Sequence, residues 1–216
     1  MFYKNGLIKS LLCVFFVSCA HSAQPSKACL QPHSVEAYNT CIKKLNSVVA
    51  NFVQKNRNRE ISGKLYLQKP GKLRIIYKNC PQKGHRQILC DGEYLTEYVF
   101  DNKGHLEESS SVALSDTPLE LILNTNGIDF ERMQVQRMDS IKRNQDTYTH
   151  LYIAKKDEPN AGHVILVFKE QKGALPLFCG WILHDEHQEA TSLELNDVHN
   201  NVIILPKTFS TTTPAE

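Results

Sequence analysis

The sequence predicts a mainly β fold with α elements: an incomplete antiparallel β-barrel of about 11 strands, with helices covering its concave apolar face. Three observations lead there. Apolar and polar residues alternate with a period of two from Ile61 almost to Val198, turn residues punctuate that alternation, and helical spacing is confined to short segments. A meander of this kind forms one antiparallel sheet, which curls and needs its apolar side covered. With 41% apolar and 22% charged residues among 216, the chain suits one globular unit, and no internal repeat or second domain is visible.

Lys4 and Lys9 precede an apolar run from Leu11 to Val17, and the small residues Ser18, Ala20, Ser22 and Ala23 follow. This is the pattern of a secretory signal peptide. It is expected to span residues 1–23, with cleavage after Ala20 or at Ser22 or Ala23, leaving 24–216 as a single soluble domain. The run falls well short of the roughly 20 residues that cross a membrane. A lipobox ending at Cys19 is the rival reading, with Phe16 where such a box usually has Leu; a lipidated Cys19 would tether the protein to a membrane.

Residues 24–33 are polar and contain proline. Ser34 suits an N-cap, Glu36 falls in the first turn, and Tyr38, Cys41, Ile42 and Leu45 recur at helical spacing. Val48 to Gln54 also alternates as a strand, so the helix ends near Leu45 to Ser47. The next strands are expected at 61–68, 73–77, 87–90, 94–100, 130–135, 147–154, 163–168, 176–183 and 190–198. Lys69-Pro70-Gly71, Asp91-Gly92, Asn102-Lys103-Gly104 and Lys172-Gly173 supply turns. One segment breaks the series: Asp116 or Thr117 suits a cap, Pro118 a first turn, and Leu119, Ile122 and Leu123 an apolar helical face.

Function classes narrow next. Of the 25 basic residues, Lys4 and Lys9 belong to the leader, which leaves 23 against 23 acidic ones. A neutral chain without a basic cluster is a poor partner for nucleic acid. No nucleophile elbow, zinc-protease helix, phosphate loop or dinucleotide fingerprint occurs, so an enzyme is not expected and no cofactor or metal is implied. His184-Asp185-Glu186-His187 could gather a transition metal for a hydrolase. Its place between two strands favours a solvated hairpin turn. Tyr66, Tyr77, Tyr94, Tyr98, Tyr148, Tyr152 and Trp181 suit either a ligand cavity or ordinary core. Cys13 and Cys19 lie in or beside the leader. Among the rest, disulfides are expected between Cys80 and Cys90 and, as a second choice, between Cys29 and Cys41, with Cys179 a buried thiol.

Gly63-Lys64-Leu65-Tyr66-Leu67-Gln68-Lys69-Pro70-Gly71-Lys72-Leu73-Arg74-Ile75-Ile76-Tyr77 resembles a signature of the outer-membrane lipoprotein carrier (LolA) family: strand, basic-Pro-Gly turn, strand. Leu89 to Leu95 and Leu114 to Leu123 resemble its Val-x-Asp-Gly segment and its Thr-Pro helix. Leu45, Val48, Phe52 and Gln54 keep the spacing of its opening, and Trp181 begins a stretch similar to its last hairpins. These elements follow family order over residues 35–209.

The resemblance implies a monomeric periplasmic carrier of acylated lipoproteins, loaded by an inner-membrane ATP-binding-cassette complex and emptied at an outer-membrane acceptor. A tethered lipoprotein-receiving relative is the alternative if Cys19 is lipidated. Acyl chains would meet Phe52, Leu65, Leu67, Ile75, Tyr77, Leu119, Ile122, Leu123 and Trp181, while Lys69 and Pro118 would control a helical lid. Lys69 stands where many members carry Arg, and it lacks the planar fork that bonds several carbonyls at once.

Overall fold

The computed structural model describes residues 33–57, 59–78, 84–158, 162–185, 187 and 189–210. The chain runs through α1 (Val35–Lys44), β1 (Ser47–Asn56), β2 (Arg59–Gln68), β3 (Lys72–Lys78), β4 (His85–Asp91), β5 (Tyr94–Phe100) and β6 (Leu106–Ala113). After a 3-10 turn at Leu114–Asp116 come α2 (Glu120–Leu123), β7 (Met133–Arg143), β8 (Asp146–Lys155), β9 (His163–Lys169), β10 (Leu177–His184) and β11 (Ala190–Asn200). A second 3-10 turn follows at Pro206–Phe209. Among the described residues no helix is long and apolar enough to cross a membrane. The expected leader, Cys19 and Cys29 lie outside the described residues.

All strands join one 11-stranded antiparallel sheet in the order β6-β5-β4-β3-β2-β1-β11-β10-β9-β8-β7. Neighbours are sequential hairpins except at one seam, where β1 pairs β11 with Phe52 opposite Leu195. That seam puts β6 and β7, consecutive in the chain, at the two edges of the sheet. The barrel is open, as the alternation predicted.

Period-two burial explains which face is inner. Val48, Ala50 and Phe52 of β1 point inward with Leu65 and Leu67 of β2, Leu73, Ile75 and Tyr77 of β3, Leu151 and Ile153 of β8, Val164, Leu166 and Phe168 of β9, Phe178 and Trp181 of β10, and Leu193 and Leu195 of β11. Val49, Asn51 and Val53 face the other way. α1 brings Tyr38, Ile42 and Leu45 into the same cluster, and α2 brings Leu121, Ile122 and Leu123. Ser34 caps α1, accepting from the Ala37 amide at 3.4 Å, and Leu45 closes it through a bond from its N–H to the Ile42 carbonyl.

The structure corrects several expectations. β6 has no counterpart in the sequence reading because its residues Leu106 to Val112 are exposed on both faces, so no alternation is imposed. β7 starts at Met133, not at residue 130, and continues to Arg143. The interrupting helix is a single turn with Leu119 as its N-cap and no side-chain cap bond. Thr117 instead donates its hydroxyl to the Leu114 carbonyl at 2.9 Å, closing the preceding 3-10 turn. Cys41 and Cys90 are free thiols rather than disulfide halves. Cys90 points into the fully buried core and Cys41 donates its thiol to the Pro176 carbonyl at 3.0 Å; Cys80 lies outside the described residues. Beyond β11 the chain crosses the outer face, where buried Arg74 donates to the Thr208 carbonyl at 3.0 Å and to Gln87 at 2.8 Å.

One close approach organises the inner face near the seam. Phe52, Gly63 and Tyr77 are register partners on β1, β2 and β3, and the Phe52 ring lies over Gly63 to meet Tyr77 edge-on at 5.5 Å. A Cβ on Gly63 would sit 2.1 Å from the Ile76 carbonyl oxygen and 2.5 Å from the Phe52 ring. Gly63→Ala is therefore expected to cost about 2 kcal/mol by overpacking, read as a lower urea midpoint; an unchanged midpoint would show that β2 yields freely there.

Candidate functional site

The inner face is apolar from β1 to β3, and from β8 to β11 it is apolar except at buried polar positions such as Thr149 and Glu170. Phe52, Leu65, Leu67, Ile75, Tyr77, Leu119, Ile122, Leu123 and Trp181 all fall in that one buried cluster. Of the seven strand aromatics weighed from sequence, only Tyr77 and Trp181 join it. Tyr66, Tyr148 and Tyr152 pair instead with the cations of Lys64, Arg143 and Arg137, and Tyr94 is exposed.

The two helices are tied to the sheet and to each other at a few points. The turn between β2 and β3 serves both. Lys69 is 9% exposed, and its Nζ donates to the Ile42 carbonyl near the end of α1 at 2.7 Å. The Gly71 amide donates to the Leu123 carbonyl at the end of α2 at 3.1 Å. Gly71 has φ of 70° and packs so closely on Gly92 that a Cβ would lie 2.6 Å from its Cα. Asn39 of α1, buried, accepts from the Ile128 amide beyond α2 at 2.9 Å. Pro118 lies in the turn before α2 and offers its carbonyl to Leu121 at 3.3 Å.

Where the cover meets the strand ends, a recess of about 200 Å³ lies between Pro118 and Met133 on one side and Val164, His163 and His184 on the other. That is below the roughly 300 Å³ at which pockets for small ligands begin. A wider recess, of about 500 Å³, lies beside α2, lined by Pro70, Gly71, Asp91, Gly92, Leu114 and Leu123 among others. His184 ends β10 and stacks on His163 at 4.5 Å, while Asp185 accepts from the amides of His187 and Glu189 to close the hairpin. Among the described residues no three His, Cys, Asp or Glu side chains converge as a metal site.

The family model for the outer membrane lipoprotein carrier protein LolA matches residues 43–212, from the end of α1 past the last 3-10 turn. The chain belongs to the LolA family. An outer-membrane lipoprotein carrier protein of Methylobacillus flagellatus is similar, 26% identical over 189 residues that cover 84% of this chain and 85% of that protein. Two solved structures are similar at lower identity. A LolA superfamily protein from Nitrosomonas europaea is 12% identical with a TM-score of 0.44, covering 83% of this chain and 99% of its own. An uncharacterized conserved protein from Thermus thermophilus is 11% identical with a TM-score of 0.48, covering 78% of this chain and 88% of its own.

Sequence reasoning about this LolA-family chain missed four side chains that fasten α1: Tyr38 as a polar group, Asn39, Thr149 and Glu170. Only Glu170 left a signal. It continues the inward positions Val164, Leu166 and Phe168, where alternation calls for an apolar residue.

Burial lowers the Lys69 ammonium from 10.5 to about 8, and the neighbouring Cys41 thiol opposes that only in part. Between about pH 8 and 10.5 the unfolded chain therefore holds a proton that the folded one has released, and stability rises with pH. Cys41 and Cys179, pushed up from 9.0 to about 11 by burial, act in the opposite sense above pH 9. Lys69 thus dominates from pH 8 to 9. Relative to Lys69→Met, the native protein is expected to gain about 1 kcal/mol over that unit in urea unfolding. Parallel pH profiles for the two proteins would place the amine in water.

Proposed function

We propose that this protein binds the acyl chains of lipoproteins on the inner face of its open sheet and carries them through the periplasm from the inner to the outer membrane. One observation carries the reading: among the described residues a largely apolar face is covered by two short helices held at a few points, not by a second sheet or a closing strand. Membership of the LolA family and the similarity to a lipoprotein carrier protein support the same cargo. An inner-membrane ATP-binding-cassette complex would load the carrier and an outer-membrane acceptor would empty it, with the protein acting as a monomer.

The energetics require a cover that resists opening. Each buried methylene contributes about 0.8 kcal/mol, and full burial of three long chains would exceed the ceiling of about 20 kcal/mol for noncovalent binding. Release would then be too slow for a shuttle. Displacing Tyr38, Ile42, Leu121, Ile122 and Leu123 from the inner face offsets part of the gain and keeps loading reversible. Lys69, through its bond to α1, and Pro118, at the entry to α2, set how easily that displacement happens.

Trp181, the sole tryptophan, lies on the inner face beside Phe178 and reports directly on occupancy. Addition of a diacylglyceryl peptide at micromolar concentration is expected to change Trp181 emission and to displace a bound environment-sensitive apolar dye. Lys69→Leu is expected to speed dye uptake. A peptide that neither alters the emission nor competes with the dye at these concentrations would remove the carrier reading.

A further inference from the structure

Glu170 is a carboxylate on an apolar face. Its side chain is 1% exposed, and its amide is fixed to the Thr147 carbonyl at 2.8 Å. One carboxylate oxygen, Oε1, accepts from the Tyr38 hydroxyl at 2.6 Å and from the Thr149 hydroxyl at 2.5 Å. The Tyr38 oxygen in turn accepts from the His33 amide at 3.0 Å, just before α1. The second oxygen, Oε2, is buried without a hydrogen-bond partner among the described residues, and the His33 imidazole lies 3.5 Å away. Burial and the adjoining carboxylate push the Tyr38 phenol up to about 12, so it stays a donor.

Tyr38 itself is fully buried against Phe168, with ring centroids 4.9 Å apart. This cluster therefore joins the amino-terminal half of α1 to β8 through Thr149 and to the end of β9 through Glu170. Lys69 grips the opposite end of the same helix. A buried acid is costly unless hydrogen-bonded, and here two hydroxyls meet one of its oxygens while the other, without a hydrogen-bond partner among the described residues, has only the His33 imidazole at 3.5 Å. A core position serving packing alone would be filled by an apolar residue at less cost.

We propose that Glu170 is a positioning residue of the cover: with Thr149 it clasps Tyr38 and holds α1 shut at its amino-terminal half, so that α1 leaves the inner face only when this clasp and Lys69 both release. The purpose of the clasp, gating acyl chains, rests on the carrier reading; its existence does not.

Amide hydrogen exchange on the intact chain separates a clasp from a general structural role. Tyr38→Phe removes the donor to a charged acceptor and is expected to raise exchange of the α1 amides roughly tenfold while β8 and β9 amides keep their rates. Glu170→Gln, which keeps shape and loses charge, is expected to act in the same direction, and the double variant is expected to open α1 no more than the stronger single one. Thr149→Val, which leaves the Tyr38 to Glu170 bond in place, provides a milder third member. Unchanged α1 exchange in all three, or α1 and sheet amides accelerating together, would overturn the clasp. Uptake of the apolar dye should rise in step with α1 exchange. If exchange rises and dye uptake does not, the clasp stands and the carrier reading falls.

Discussion

An apolar sheet face that the sheet does not close on is the constraint from which the rest of this structure follows. Joining β1 to β11 at the middle sends β6 and β7 to the edges, and β1 to β3 with β8 to β11 turn a mostly apolar side inward. Water at that side would forfeit about 25 cal/mol for each Å² exposed. The cover is accordingly not an accessory. α1, α2 and the loop after α2 lie where they do because that face has to be met, and the polar ties at Lys69, Gly71 and Asn39 fix them there.

The cover is weak by construction. Isolated helices shorter than about 12–15 residues are marginal in water, and α1 has 10 residues while α2 has 4. Their helical form is sustained by the face they cover, so leaving the face and losing helical structure are coupled. The sheet is sustained by ten strand pairings that none of the helices joins. Such a division places the low-stability units over the apolar face and the high-stability unit beneath it, so the cover can yield without dissolving the scaffold.

Polar groups buried against apolar surroundings mark the points where this chain departs from a plain hydrophobic core. Lys69 and Glu170 both serve α1 from opposite ends, a cation near its carboxyl-terminal carbonyl and a carboxylate on its one buried hydroxyl. Arg74 faces outward, where burial lowers its ionisation below the ordinary value and the returning carboxyl-terminal segment provides its acceptor. A lysine meets a single carbonyl where a guanidinium would span several. α1 has a further polar attachment at Tyr38.

The sequence by itself determined the strands whose two faces differ, the Ser34 cap, the Lys69 turn and the inner-face residues from Phe52 to Trp181, because burial on one side writes a period of two into the chain. It also determined the family, because several moderately specific segments recur in one order. It was silent on β6, whose two faces are equally exposed, and it offered Asp116 or Thr117 as the cap of α2, where Leu119 stands instead and the Thr117 hydroxyl closes the preceding turn. Only the tertiary structure decided that β1 meets β11, that Cys41 and Cys90 remain thiols, and that Tyr38 finds Glu170. Val48 and Asn200 lie 152 positions apart and Tyr38 and Glu170 lie 132 apart, and contacts at that range depend on how the sheet curls, which no local pattern of residues encodes.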